Sequence, residues 1–234
     1  FGQISTPLSV PIFIVQHMPP SFTTLLAARL SAAGVMTVKE AEEGEIAIPG
    51  TSYIAPGGFH MTLKQSGTKT IIHLNTEAPE NSCRPAVDVL FRAAAEVYGG
   101  GVLAVMLTGM GYDGLKGCQV ITAKGGQIIA QDEATSVVWG MPGAVVQAGL
   151  ANAVLPIEKI ADEIVFLKEK YGVKSFTFTD SLINGSLKAL TELVTSLADH
   201  NDACAPEDRI RWSAQYISRP RGQTPEHVYE LMAR

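Results

Sequence analysis

The chain has 234 residues, 46% of them hydrophobic, and a net charge of −5, which suffices for one large domain with an extension. A negative charge balance without clustered Lys and Arg argues against nucleic acid as a partner. No apolar run reaches the ~18 to 20 residues of a membrane span, so we expect no membrane insertion. The three cysteines lie far apart, which fits neither a disulfide framework nor a zinc site, and we expect a reducing, cytoplasmic setting.

Strand and helix patterns alternate along the first 171 residues. In chain order the sequence predicts a buried strand at 10–16, a helix at 22–33, a strand at 35–40, antiparallel hairpins within 44–74, a helix at 84–98, a strand at 101–107, a helix at 115–124, a strand at 127–131, a short helix at 141–148, a strand at 151–155 and a closing helix at 157–171. This alternation predicts an α/β domain with a mostly parallel sheet and an antiparallel hairpin insertion. Residues 172–179 are predicted to be a linker, and residues 180–234 a helical extension of unknown role.

Two polar residues follow the strongest apolar strands. His17 ends "PIFIVQHMPP", and Asp113 lies in "TGMGYDG" after the strand at 101–107. In parallel sheets functional residues gather at the carboxyl ends of strands, and a His beside an Asp suits nucleophilic catalysis. The structural alternatives are a partly buried polar His at a strand end, and an Asp113 that caps the helix beginning at Gly114.

The stretch "GMGYDG" also matches G-x-G-x-x-G through Gly109, Gly111 and Gly114. It follows a strand and precedes a helix, with Asp132 at the end of the next strand, which is the context of dinucleotide binding. A dinucleotide-binding oxidoreductase is therefore one alternative. Its late position in the chain, and the negative charge of Asp113 beside the presumed phosphate, argue against it.

A third motif, "NSCRPAVDVLF", begins at Asn81 and leads into a helix. Arg84 is a candidate for binding a substrate carboxylate or for fixing a loop, or for a surface ion pair with Asp88 at i, i+4. Cys83 has no basic neighbour in the sequence that would activate it, so a buried thiol is the preferred interpretation.

Five stretches together are specific: "FIVQHMPPSFT", "YIAPGGFHM", "CRPAVDVLF", "VMLTGMGYDG" and "DEATSVVWGMPGAVVQAG", in this order. Over about residues 1–170 the chain resembles the catalytic domain of the chemotaxis protein-glutamate methylesterase family. The resemblance implies a serine hydrolase on a doubly wound α/β sheet that needs no cofactor. Such enzymes demethylate glutamyl methyl esters on the cytoplasmic helical region of chemoreceptors, and members often also deamidate receptor glutamines.

The resemblance implies roles for individual residues. His17 matches the general base and Asp113 the carboxylate that orients it. Met110 matches the position whose backbone N–H helps to bind the oxyanion.

One element of the family pattern does not occur in the chain. The nucleophilic Ser of the family lies in a G-x-S-T-G-G turn after the first strand, upstream of the His strand, and the sequence contains no such stretch. We therefore expect that the strand and its Ser are missing, along with any phospho-receiver domain before them. The expected consequences are an inactive or nearly inactive chain and an unfilled position in the sheet. A non-catalytic receptor-binding module is the other alternative.

Overall fold

The computed structural model describes residues 8–160 and 163–164, together with the backbone of residues 175–180. The chain divides into two units, Phe1–Ser181 and Leu182–Arg234, and every described residue belongs to the first. The predicted extension over 180–234 lies outside the described residues except for Asp180, as does most of the predicted closing helix. In the part of the chain that the structure describes, no helix is long and apolar enough to cross a membrane.

Nine strands, four α-helices and one 3₁₀ helix (Gly99–Gly101) are the bounded elements of the described fold. The strands are β1 (Ile12–Gln16), β2 (Thr37–Glu40), β3 (Thr51–Ile54), β4 (His60–Ser66), β5 (Lys69–Asn75), β6 (Val102–Met106), β7 (Gln127–Gln131), β8 (Ala153–Leu155) and β9 (Ser175–Asp180). The helices are α1 (Phe22–Ala33), α2 (Val87–Tyr98), α3 (Leu115–Ala123) and α4 (Met141–Gln147). Residues 157–160 and 163–164 are also helical.

The main sheet has seven strands in the order β2-β3-β1-β9-β6-β7-β8, and all of these pairings are parallel. From β1 the chain crosses to the edge strand β2 and returns to β3, and from β6 it runs outward through β7 to β8, which is the doubly wound topology that the resemblance implied. The carboxyl ends of β1 and β6 therefore flank the point where the winding direction reverses, where α/β proteins bind their ligands.

The central strands are apolar on both faces because helices cover the sheet on both sides. All five residues of β1 and all five of β6 are buried. One core cluster contains Leu90 and Phe91 of α2, and a second contains Ala27 of α1. The buried residues of α2 recur at helical spacing, which is why one side of this helix packs on the sheet.

Two predictions about the strands need correction. The region 44–74 holds only one antiparallel hairpin, β4–β5, because β3 pairs in parallel with β1 and β2. The predicted linker at 172–179 contains most of β9. This strand pairs with both β1 and β6, so the sheet position between them, which we expected to be unfilled, is occupied.

Candidate catalytic site

His17 is placed by the abrupt end of β1. The two prolines that follow at 19 and 20 cannot continue the strand, and a tight turn forms in which the N–H of Met18 donates to the carbonyl of Gln16 over 2.8 Å. Gly57, before β4, packs so closely on this segment that a Cβ there would lie 2.3 Å from the carbonyl carbon of Pro19. The turn is thereby held against its neighbour, and His17 stands at the carboxyl edge of the sheet.

Asp113 faces His17 from the loop after β6. The Nε2 of His17 lies 2.8 Å from Oδ2 of Asp113, although the two residues are 96 positions apart in sequence. The side chain of Asp113 is 3% exposed and that of His17 is 13% exposed. The structure thus brings together the two residues that the sequence analysis selected for catalysis.

Asp113 also caps a helix, but not the one that the sequence suggested. Its Oδ2 accepts the N–H of Val87 over 2.7 Å, and its Oδ1 accepts the N–H of Asp88 over 3.1 Å. These two donors begin α2, whereas the N-cap position of α3, Gly114, has no side-chain cap. The cap prediction for the helix at Gly114 is therefore wrong. A carboxylate at the N-terminus of α2 is favoured both by these N–H groups and by the helix dipole.

A second buried carboxylate supports the first. Asp88 accepts the N–H of Gly117 over 2.6 Å, which joins α2 to α3. The side-chain amide of Asn81 donates to Asp88 and to Asp113, over 2.9 and 2.8 Å, so one NH₂ group bridges two carboxylates. Sequence reasoning missed this role of Asn81. The alternative of a surface ion pair between Arg84 and Asp88 is wrong, because Asp88 is fully buried.

The electrostatics favour a charged pair. Burial opposes ionisation of Asp113, but the hydrogen bond from His17 and the N–H groups of Val87 and Asp88 outweigh it and lower the pKa of Asp113. Burial likewise opposes protonation of His17, while hydrogen bonds to Asp113 and Cys83 raise its pKa to about 9. The contacts of His17 with Asp113 thus favour the protonated form of the imidazole, which is the form it takes after accepting a proton.

Cys83 is the unexpected member of the site. It is half-buried, and its Sγ, a ring nitrogen of His17 and a carboxylate oxygen of Asp113 all lie within 4.8 Å of one another. The interpretation of Cys83 as a buried thiol without a basic neighbour is therefore wrong. Its neighbour in space is a histidine 66 positions away in sequence, which no local pattern reveals.

The other two predicted site residues lie on loops near this pair. Met110 is half-exposed on the β6–α3 loop, the loop that carries Asp113. Arg84 donates from Nη1 to the backbone carbonyls of Thr76 and Glu77, over 2.9 and 3.0 Å. These contacts support loop fixing by Arg84, one of the two functional roles considered for it.

The dinucleotide alternative finds no support in the described geometry. A pyrophosphate would bind the N-terminus of α3, but the carboxylate of Asp88 already accepts the N–H of Gly117 there. Asp132, the candidate for a ribose hydroxyl, instead accepts the N–H and the hydroxyl of Thr135 in a local turn. Gly114 is required by packing and backbone: its φ is +93°, and a Cβ would lie 2.5 Å from Met106 Cε.

A doubly wound α/β sheet with a His–Asp pair at its switch point is a hydrolase-type arrangement. Comparisons with known proteins agree. A profile of the CheB methylesterase family matches residues 1–164, and the chain belongs to this family.

Individual relatives and a solved structure give the same result. The chain is 54% identical over 156 residues to a "Protein-glutamate methylesterase/protein-glutamine glutaminase" of Trichodesmium erythraeum, a match that covers 67% of this chain and 44% of the relative. It is 52% identical over 164 residues to a protein of the same name from Azospirillum brasilense, covering 70% and 42%. The crystal structure of the Thermotoga maritima CheB methylesterase catalytic domain superposes with a TM-score of 0.70 at 46% identity, covering 71% of this chain and 88% of that one. The chain thus spans less than half the length of these curated relatives.

Proposed function

We propose that this chain supplies the acid–base machinery of a protein-glutamate methylesterase, which hydrolyses glutamyl methyl esters on the cytoplasmic helical region of chemoreceptors. Deamidation of receptor glutamines, which the names of the relatives include, would use the same site. The observation that carries the proposal is the 2.8 Å contact between His17 and Asp113 at the sheet's switch point.

We assign different tasks to the two ring nitrogens of His17. Because Nε2 donates to Asp113, Nδ1 is the nitrogen left to take the proton of a nucleophile and later to deliver one to the departing methanol. Asp113 fixes this tautomer and stabilises the imidazolium. The N–H of Met110 would polarise the ester carbonyl, and one such donor is worth about 3 kcal/mol in hydrolases.

The surroundings of the pair suit a protein substrate. Large apolar side chains are exposed on the β6–α3 loop at Met110 and Tyr112, 50% and 59% exposed, and at Val137, 52% exposed. The loop of Val137 is joined to the β6–α3 loop through the N–H of Gly109, which donates to the carbonyl of Val138 over 2.9 Å. Apolar side chains that rim a polar site are typical of surfaces that bind another protein, here a receptor helix.

The nucleophile is the remaining part of the proposal. The family's serine lies in a G-x-S-T-G-G turn, which this sequence does not contain. We propose that the 234-residue chain alone therefore has little or no esterase activity. In the parent protein an upstream segment would supply the serine, and a phospho-receiver domain would regulate it.

Methanol release from a methylated receptor fragment tests these statements. The 234-residue chain should release no more methanol than its His17→Ala variant. Fusing a strand and G-x-S-T-G-G turn of the family ahead of Phe1, in a chain that ends at residue 174 so that the added strand can take the sheet position of β9, should produce a rate that His17→Ala abolishes. No rate in the fusion, with its fold intact, would refute the methylesterase assignment. A rate in the unfused chain that disappears with His17→Ala would refute the missing-nucleophile statement.

Receptor binding, measured separately, distinguishes the alternative of a non-catalytic docking module. That alternative predicts binding that survives His17→Ala, with no methanol released by the fused protein.

A further inference from the structure

Three side chains of the types that ligate metal ions lie close together at the carboxyl edge of the sheet. His17 follows β1, Cys83 precedes α2, and Asp113 ends the β6–α3 loop. One ligand atom of each lies within 4.8 Å of the other two. We propose that these three residues bind one divalent transition metal of the zinc class.

The distances distinguish this arrangement from a linear triad. In a Cys-His-Asp triad the imidazole separates the thiol from the carboxylate, so the sulfur and the carboxylate oxygen lie beyond direct contact. Here Sγ of Cys83 lies within 4.8 Å of the carboxylate as well as of the imidazole. The three atoms thus form a triangle rather than a line, and one ion can contact all three.

The donors fit zinc in number and chemistry. Zinc sites with three protein ligands use thiolate, imidazole and carboxylate donors at about 2.0 to 2.3 Å, which places neighbouring ligand atoms roughly 3.2 to 3.7 Å apart. Bringing the ion between His17 and Asp113 requires their 2.8 Å contact to lengthen by only a few tenths of an ångström. A thiolate donor disfavours magnesium and calcium.

The carboxylate of Asp113 is already oriented by hydrogen bonds, as a metal ligand requires. Asp113 is almost fully buried, and Val87, Asp88 and Asn81 all donate to it. An oriented buried ligand of this kind differs from the exposed acidic groups that commonly cluster without binding an ion. Oδ2 would keep the N–H of Val87 on one lone pair and give the other to the metal. The thiolate and the carboxylate together would neutralise the charge of a divalent cation.

Metal binding would change the proposed catalytic pair. The ion would replace the proton that Nε2 of His17 donates to Asp113, so the base would lose the carboxylate that orients it. The metal would therefore act as a reversible inhibitor of the enzyme rather than as its cofactor. Metal binding itself does not depend on the proposed function; this inhibitory effect does.

Cobalt(II) titration of the 234-residue chain under reducing conditions tests the site, because thiolate ligation gives a charge-transfer absorption band in the near ultraviolet. We expect one equivalent of cobalt to produce this band, and zinc to displace it. Cys83→Ser should abolish the band and weaken zinc binding by at least about 100-fold. Cys118→Ser and Cys204→Ser are matched controls that should retain it. Thermal unfolding without metal confirms that each variant is folded.

Absence of the band in the wild-type chain, or a band that survives Cys83→Ser, would overturn the proposal. Because the readout is spectroscopic, the site can stand even if the esterase assignment fails. Conversely, the fused protein could be an active esterase that zinc does not inhibit, with no cobalt band in the wild-type chain. That result would support the proposed function and refute the metal site.

Discussion

Replacing Asp113 with Ala should lower both the free energy of unfolding and the esterase rate. Its carboxylate accepts hydrogen bonds from the first residues of α2 and from His17. The substitution leaves the N–H groups of Val87 and Asp88 without their acceptor, at about 1 to 3 kcal/mol for each buried donor. It also removes the hydrogen bonds from His17 and Asn81. Allowing for water that reaches the vacated space, we expect a loss of about 4 kcal/mol in the free energy of unfolding.

His17→Ala is the matched control. It removes one charged hydrogen bond at the rim of the site and leaves the cap of α2 in place, so it should cost only about 1.5 kcal/mol. Both variants should lack esterase activity in a fusion that supplies the serine. The two variants thus have equal effects on catalysis and unequal effects on the fold.

Urea unfolding and hydrogen exchange measure the difference. At a slope of about 2 kcal/mol/M, the Asp113→Ala midpoint should fall by roughly 2 M. The amides of Val87 and Asp88 should lose protection in Asp113→Ala and keep it in His17→Ala. If the two variants unfold at the same urea concentration, and the α2 amides stay protected in both, the capping role assigned to Asp113 is wrong.

Three further experiments test the structure around the site. Asn81→Ala should lower the free energy of unfolding by about 2 kcal/mol, because two buried carboxylates lose their shared donor. Asn81→Gly loses the same donor but adopts the φ of +52° without strain, so it should be less destabilising than Asn81→Ala by the cost of that strain only. Gly117→Ala should destabilise the chain by about 1 to 3 kcal/mol, since its Cβ would lie 2.4 Å from Phe91 Cβ. An unchanged free energy of unfolding would contradict the close packing of α2 on α3. Iodoacetamide, followed by mass spectrometry, should label Cys83 in the folded chain and spare Cys118, whose pKa is raised by burial; equal labelling would contradict the packing of α3.

The sequence predicted the parts of the site that lie at strand ends. His17 and Asp113 each follow an apolar run that only a buried strand explains, and parallel strands bring such ends to one edge. Helix α1 and strand β7 were predicted with their observed bounds, because Ser21 and Gly34 mark the ends of α1 and two glycines precede the apolar run of β7.

The sequence did not predict how the 81–84 loop meets that edge. Asn81 and Ser82 have φ values of +52° and +64°, a conformation that turns the loop back and that residue patterns do not specify. Asn81 and Cys83 reach the site only through this turn. By contrast, β9 had a usable signal, since Phe176 and Phe178 alternate with polar residues as in a half-buried strand.

The carboxylate of Asp113 contacts both His17 and the start of α2. The sequence pattern around Asp113 could not show that one side chain has both contacts. A cap on α3 would have involved Asp113 and its chain neighbours, whereas the observed cap belongs to α2, whose first N–H donors lie 25 and 26 positions away. Any shift of α2 along its axis would therefore move Asp113 relative to His17. Because Asp88 also accepts a hydrogen bond from α3, the packing of these two helices sets the distance between His17 and Asp113. Substitutions at their interface should then reduce turnover without touching the site.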